Sequence, residues 1–369
     1  MSNLRVAHVS IIHRGHDVRI FEKQCRTLAR AGYDVHLVAG GRNGRERDGV
    51  CFHPVTRSFA RPRLRQQWRL QLAAWRQSLR LRADVYHLHD PHLIPLGLAL
   101  KLRGARVLYD AHEDYPGHAR AKLADRPVRS AVKAGVWRTL EGAARRSLDG
   151  FVCACEEIAG HFPPERTTVL HNFPLHSDFA PPSDDVPYAR RPPVVLFLGA
   201  MKRFRGIHDA VRAMALLPDG LDCRLRLVGR MDFRAPQEDP GWERTEYLPW
   251  CDRRAALREL SRARVGLVAV HSVPNECAIR SNKLFEYMAA GLPVVVADTP
   301  GWRDVVEQID CGLAVDPRDP AALAEAIAHL ISNPATAEEM GRRGRAAVER
   351  RFNWDREAGR LLDLYGALV

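Results

Sequence analysis

The chain has 369 residues, 46% hydrophobic and 27% charged, which excludes a disordered chain and suffices for two globular domains whose cores need no disulfide staples. The formal net charge of +12 implies acidic company, and in the absence of any nucleic-acid motif it points to phosphate or anionic lipid rather than to DNA or RNA. No stretch approaches the roughly 18 apolar residues of a membrane span.

The opening MSNLRVAHVS enters a strand directly and lacks a signal-peptide layout. The eight cysteines are scattered, without a C-x-x-C pair, as expected of reduced thiols in a cytoplasmic protein.

Strands are predicted near Val6–Ser10, Val35–Ala39, Val85–Leu88, Val107–Asp110 and Phe151–Ala154, then near Val194–Leu198, Leu225–Val228, Val265–Val270 and Val294–Ala297. Helical patterns lie between most of them. This alternation predicts parallel sheets with crossover helices, in two doubly wound sets. The proline-rich run from Phe179 to Pro193 reads as the linker. Domains are therefore expected at 1–182 and 183–353, with a terminal helix over 354–369.

Taken in chain order, the first polar constellation runs from His13 through Asp17 and Arg19 to Cys25. It follows the first strand and opens a helix whose buried stripe is Phe21, Cys25, Leu28 and Ala29. Asp17 and Arg19 are two apart, so they project differently and anchor the loop. Arg61 to Arg82 carries Trp68, Leu72, Trp75 and Leu79 at helical spacing, a stripe that reads either as a core face or as a face for an anionic membrane. The basic stretch from Arg120 to Arg146 is open to the same two readings. Next, His87-Leu88-His89-Asp90-Pro91-His92 follows the third strand. Asp90 is placed to cap the following helix, with Pro91 as its first residue. These histidines have no completing ligand, so no metal is expected. Tyr109-Asp110-Ala111-His112-Glu113-Asp114 crowds four ionisable groups at one strand end, where acid–base chemistry is at home.

In the second half, Gly199-Ala200-Met201-Lys202-Arg203-Phe204-Arg205-Gly206 follows a strand. Gly199 permits close backbone approach, and the cations suit a diphosphate. The most informative stretch is Ser281-Asn282-Lys283-Leu284-Phe285-Glu286-Tyr287-Met288-Ala289-Ala290-Gly291-Leu292-Pro293. Ser281 or Asn282 can cap a short helix, Gly291 ends it, and Val294 to Ala297 forms a buried strand. The helix start offers free N–H groups to phosphate. Glu286, one turn in, can accept bonds from two neighbouring hydroxyls, as on a ribose.

This stretch resembles the donor-site signature of glycosyltransferase family 4, and the resemblance extends from His13 to Trp354. It implies an α/β GT-B fold: two Rossmann-like domains facing a central cleft, with the terminal helix crossing back to the first. It also implies a retaining transferase that moves a sugar from a nucleoside-diphosphate sugar to a hydroxyl acceptor, without cofactor or metal, in bacterial glycan, glycolipid or natural-product synthesis. The N-terminal loop resembles a branch with histidine, aspartate and arginine where other members carry paired glycines. By the same resemblance, Gly199, Lys202, Arg205, Gly206, Lys283, Leu284 and Glu286 bind the donor. His13, Asp17, Arg19, His89, Asp90, Glu113 and Asp114 bind the acceptor. His112, with Arg205, Lys283 and Glu286, carries catalysis. The family often has a second glutamate seven residues before Glu286. Here that position is Ala278, and Glu276 lies two positions off. The sequence leaves two rivals open: a GT-B epimerase acting on a nucleotide-sugar, and a non-catalytic, membrane-docked nucleotide-sugar-binding subunit. A cytoplasmic location is expected, with peripheral placement on the inner face of the membrane as an extension.

Overall fold

The computed structural model describes residues 4–41, 46–55, 64–122, 127–176, 186–250, 252–271 and 282–368. The chain packs as two compact units, one of Met1–Asn172 with Asp355–Val369 and one of Phe173–Trp354. The expected boundary at 182/183, together with Ser281, Ala278 and Glu276, lies outside the described residues.

The first unit is built on an eight-stranded sheet. Its strands are β1 (Arg5–Arg14), β2 (Asp34–Gly40), β3 (Glu46–Arg47), β4 (Val50–Pro54), β5 (Val85–Leu88), β6 (Arg106–Ala111), β7 (Gly150–Cys153) and β8 (Thr167–Val169). Their spatial order is β3-β4-β2-β1-β5-β6-β7-β8. All pairs are parallel except the β3–β4 hairpin. The second unit carries β9 (Val194–Leu198), β10 (Arg224–Val228), β11 (Thr245–Leu248), β12 (Val265–Val268), β13 (Val294–Ala297) and β14 (Gly312–Val315). They lie in the order β11-β10-β9-β12-β13-β14, parallel throughout.

The strand order reverses between β1 and β5 in one sheet and between β9 and β12 in the other. At such a switch point the loops leaving the strand C-termini separate and open a crevice. Each unit thus has one place that its topology prepares for a ligand.

The nine expected strands are present, because each is an apolar run covered by helices on both faces; Val294 to Ala297, for instance, are all 0% exposed. Five strands escaped the sequence reading. Four of them, β3, β4, β8 and β11, lie at or beside sheet edges, and the fifth, β14, closes the other end of the second sheet. Their sequences (ER, VCFHP, TTV, TEYL, GLAV) are too short or too polar to carry a periodic signal.

Local chemistry sets the helix ends. Asp252 and Asp319 cap their helices through Oδ1. The helix Asn282–Ala289 exits through Gly291 at φ 69°. Asn282 is its first residue rather than its cap. The terminal helix Trp354–Ala367 packs within the first unit from Asp355 onward: Glu357 Oε2 accepts the His171 amide N–H at 2.9 Å, and Tyr365 is fully buried.

The arginine-rich helices bear on the two readings left open for them. Among the described positions of Leu64–Leu81, Ala74, Ser78 and Leu81 are buried, while Trp68 and Leu72 are exposed. In Pro127–Ser147, Trp137 is buried, yet Val128, Val132 and Val136 face solvent at four-residue spacing. The tryptophan–leucine stripe is therefore not simply a core face. Among the described residues, no helix is long and apolar enough to cross a membrane.

Candidate functional site

In the first unit, polar groups gather at the C-terminal ends of β1, β5 and β6. Asp90, at the end of β5, is fully buried. Its Oδ2 accepts the Ser10 hydroxyl at 2.9 Å and the Ile11 amide at 2.6 Å. Asp90 therefore pins the loop leaving β1 and makes no cap bond to the next helix. Pro91 does open that helix. His13 Nδ1 lies 3.4 Å from Asp90 Oδ1 and 3.0 Å from Ser10 Oγ. Burial disfavours the His13 imidazolium, but the Asp90 hydrogen bond and charge outweigh it and raise its pKa. The same pairing lowers the pKa of Asp90 against its burial.

Asp17 caps the following helix, accepting the amide N–H groups of Arg19 at 2.9 Å and Ile20 at 3.1 Å. That helix starts as a π-helix over Val18–Cys25, a winding found often at functional sites. Its polar residues turn inward. The Arg19 guanidinium clamps Asp110 through Nη2 at 3.0 Å and bonds the Leu170 carbonyl through Nη1 at 2.8 Å. Gln24 Nε2 donates to Asp110 Oδ2 at 2.8 Å, and Lys23 Nζ bonds Asn172.

Asp110, at the end of β6, collects rings as well. His89 Nδ1 and His112 Nε2 each lie 3.4 Å from its Oδ2, and His87 Nε2 lies 3.8 Å away. Behind them, His8 Nδ1 meets His89 Nε2 at 2.9 Å, and His87 Nδ1 meets the Tyr365 hydroxyl at 2.9 Å. His8, His87 and His89 are fully buried. Burial drives the pKa of all three down, helped by their neighbouring rings, so they are neutral at pH 7.

These positions correct part of the expected acceptor set. His89, Asp90 and Arg19 are buried, and each is held by other protein groups: His89 by His8 and Asp110, Asp90 by Ser10 and Ile11, Arg19 by Asp110 and Leu170. Asp114 Oδ1 accepts the Gly117 amide at 2.9 Å and so serves as a helix cap. His112 and His13 keep partial exposure, 13% and 24%, with ring centroids 5.0 Å apart. Glu113 is exposed. The sequence reading placed Asp110 and His87 in its polar clusters without a role, and it missed Gln24, His8 and Tyr365. The usable signal was polar residues inside apolar strands: His8, and His87 with His89 two apart on one face.

Two sets bring three ligand atoms within 4.8 Å of one another: His8, His87 and His89, and then His89, Asp110 and His112. Both fit a cation poorly. The first three rings are stacked at 11–28°, so their lone pairs run side by side instead of converging. In the second set, Asp110 is already bonded by Arg19 and Gln24.

In the second unit, the turn after β9 passes under Lys283. Gly199 has φ 120°, and a Cβ there would lie 2.8 Å from Lys283 Nζ. Glycine is thus required by conformation, while the flexible Lys283 tip could shift. Gly229, which ends β10, has no room for a side chain above the Gly199 carbonyl. It was missed, although a glycine closing an apolar strand is a visible cue. Gly206 takes φ 66° and heads the helix Ile207–Ala215, with its Cα pressed against the Ala269 carbonyl that follows β12. Arg205 Nε is buried and has no hydrogen-bond partner among the described residues. Lys202 is exposed, its ammonium 5.4 Å from the Phe204 ring. Leu284 is fully buried in the core, so only its amide is available to a ligand. Tyr287 Oη accepts the Leu198 amide at 2.8 Å, which ties the helix carrying Lys283 and Glu286 to β9. Burial raises the Tyr287 pKa; the Leu198 bond and the Arg205 charge oppose this, while the Glu286 charge adds to it. Gly199, Arg205 and Gly206 thus lie in the turn that follows β9, with Lys283 of the helix Asn282–Ala289 above Gly199.

Comparison with known proteins gives the family. Residues 18–173 match the family model described as Glycosyltransferase Family 4, and residues 192–333 match that described as Glycosyl transferases group 1. A phosphatidyl-myo-inositol mannosyltransferase of Mycobacterium leprae is 31% identical over 48% of this chain and 47% of its own length. The curated relatives first in similarity are matched over less than half their length, 42% and 47% for two of them. Among solved structures, sucrose-phosphate synthase from Thermosynechococcus elongatus superimposes with a TM-score of 0.77 at 20% identity, over 99% of both chains. HepE from Anabaena, in complex with UDP-glucose, gives 0.69 at 14% identity, over 99% of this chain and 100% of its own. At these identities the structural likeness speaks for the fold, that of the GT-B glycosyltransferases. With each unit matched by its own model, the chain belongs to glycosyltransferase family 4.

Proposed function

We propose that the protein transfers a sugar from a nucleoside-diphosphate sugar to a hydroxyl acceptor, with retention of configuration and without a metal ion. The observation that carries this reading is the buried Arg205 N–H beside the glycine turn of the second unit. Arg205 brings a buried N–H without a protein partner among the described residues, and Lys283 Nζ stands over the bare backbone of Gly199. A diphosphate would satisfy the first and lie within reach of the second. Glu286, one turn into the helix, would take the ribose hydroxyls. Fixed cations of this kind stabilise a departing diphosphate most when its charge develops, and that leaving group can itself take the acceptor proton. The relative seen with UDP-glucose makes uridine the first base to test.

The acceptor would bind the first unit near His13, His112 and Glu113. A lipid-linked acceptor, as in the mannosyltransferase relative's name, accords with the exposed apolar stripes. Val128, Val132 and Val136 are flanked by exposed Arg129, Lys133 and Arg138; Trp68 and Leu72 are flanked by exposed Arg69, Arg76 and Arg80. Apolar residues set among cations suit an anionic bilayer surface, and this is testable by vesicle binding. It would place the protein at the inner face of the membrane, in glycolipid or surface-glycan synthesis.

The decisive experiment is saturation-transfer NMR with a panel of nucleotide-sugars, on wild type and Glu286→Ala. The expected result is that one sugar nucleotide binds wild type and that the ribose contact disappears in the variant. No binding by wild type to any of them would refute the transferase reading.

A further inference from the structure

We infer that Asp110 is the positioning residue for His112: it holds the imidazole as the Nε2–H tautomer and leaves Nδ1 as the bare, hydrogen-bond-accepting nitrogen. The inference deepens the transferase reading and rests on it for the consequence to turnover; the tautomer itself is independent of it.

The argument is a count of protons. Asp110 is acceptor-only when ionised. Burial opposes its charge, but Arg19 and His112 outweigh burial and hold its pKa well below the usual carboxylate range. Its Oδ1 is taken by Arg19 Nη2 at 3.0 Å. Its Oδ2 receives Gln24 Nε2 at 2.8 Å and faces His89 Nδ1 and His112 Nε2, each at 3.4 Å.

The rings behind can be ordered in two ways. In one, His89 Nδ1–H points to Asp110, His8 Nδ1–H donates to His89 Nε2, and the Tyr365 O–H, 3.5 Å away, points to His8 Nε2. In the other, every proton is reversed. His112 Nε2–H then also faces His89 Nδ1 at 3.3 Å, His89 Nε2–H donates to His8 Nδ1, and the Tyr365 O–H donates to His87 Nδ1 at 2.9 Å. That order aims His87 Nε2–H at Asp110, and this nitrogen has no other partner among the described residues. The first order sets no lone pair against the carboxylate at either 3.4 Å contact, and it puts a proton on His112 Nε2 as on His89 Nδ1. The His112 tautomer is therefore fixed by Asp110, since a bare Nε2 would aim its lone pair at Oδ2. A catalytic imidazole held in the wrong tautomer presents a donor where an acceptor is needed.

Selective 15N-histidine labelling reads this directly through long-range 1H–15N correlations above pH 7.5, with His112→Gln to assign the signal. Wild type is expected to show a protonated Nε2 and a bare Nδ1. In Asp110→Asn, Arg19 keeps the oxygen on its own side. The new amide then faces His112 as a donor, so the tautomer should invert, with kcat lowered and the donor KM unchanged. A His112 carrying its proton on Nδ1 in wild type, or an unchanged tautomer in Asp110→Asn, overturns the proposal. Should that variant fail to fold, His89→Gln leaves the Arg19–Asp110 pair in place. His112 is then expected to keep its tautomer, and inversion would assign control to His89 and overturn the proposal. A wild type with the expected tautomer but no sugar transfer would sink the transferase reading and leave this inference standing.

Discussion

Acidification from pH 7.5 to 5 should loosen the centre of the first sheet well before Asp90 or Asp110 titrates. His8 and His87 are fully buried and held neutral, well below the ordinary value of 6.5. Their folded pKa values lie below the unfolded ones, so the unfolded chain binds protons that the folded chain refuses. Stability is complete above 6.5 and falls as the pH drops below it, by about 1.4 kcal/mol per pH unit per ring. Down to pH 5 that amounts to about 2 kcal/mol per ring and about 4 kcal/mol for the pair, a large share of a typical ~5–15 kcal/mol. Glu141 opposes the slope, because burial raises its carboxyl to about 7 and the folded chain takes up that proton before the unfolded one does, so the slope is read in a Glu141→Gln background. His13 and His171 have raised values, so their contribution is fully present below 6.5 and is lost only on going up. Asp90 and Asp110 have lowered values, so theirs is lost only below the ordinary carboxylate range. The assay is native-state hydrogen exchange at the amides of Val9 and Leu88, which keeps the second unit out of the measurement. The expected loss of protection free energy between pH 7.5 and 5 is about 4 kcal/mol. A loss under about 1 kcal/mol, or ring protons of His8 and His87 titrating near 6.5, would refute the reasoning.

Two further outcomes follow from the geometry. Gly206→Ala adds a left-handed backbone cost of about 1 kcal/mol to a clash with the Ala269 carbonyl; we expect about 3 kcal/mol of destabilisation of the second unit by thermal melting, with nucleotide-sugar affinity lost, and retention of wild-type affinity would argue against the phosphate turn. For the membrane surface, Val132→Asp is expected to lower partition into vesicles containing anionic lipid by about tenfold, the worth of one buried valine at ~1.5 kcal/mol; equal binding to neutral vesicles by wild type would remove the electrostatic part of the claim.

Much of the second-unit site was legible in the chain. Lys283, Glu286 and Gly291 sit within one helix–strand unit, and Gly199 to Gly206 within one strand–turn, so local spacing carries their geometry. The core strands were equally readable, since Val85–Leu88, Val194–Leu198 and Val294–Ala297 are covered on both faces and spell it in β-branched and apolar residues.

What the sequence by itself determined, then, is whatever a short segment decides: helix ends, glycine turns, the alternation that makes two parallel sheets, and the donor-site signature. Tertiary structure alone decided the roles of the polar residues in the first unit. Arg19 reads as a loop anchor without a partner until β6 brings Asp110 to it, 91 positions away in sequence. His8, His87 and Tyr365 come from three separate segments, and only the strand order β1-β5-β6 and the return of the terminal helix place them together. The reason is physical. A buried charge or imidazole is tolerable only when its partners are present, and partners from distant segments exist only once the sheet has formed.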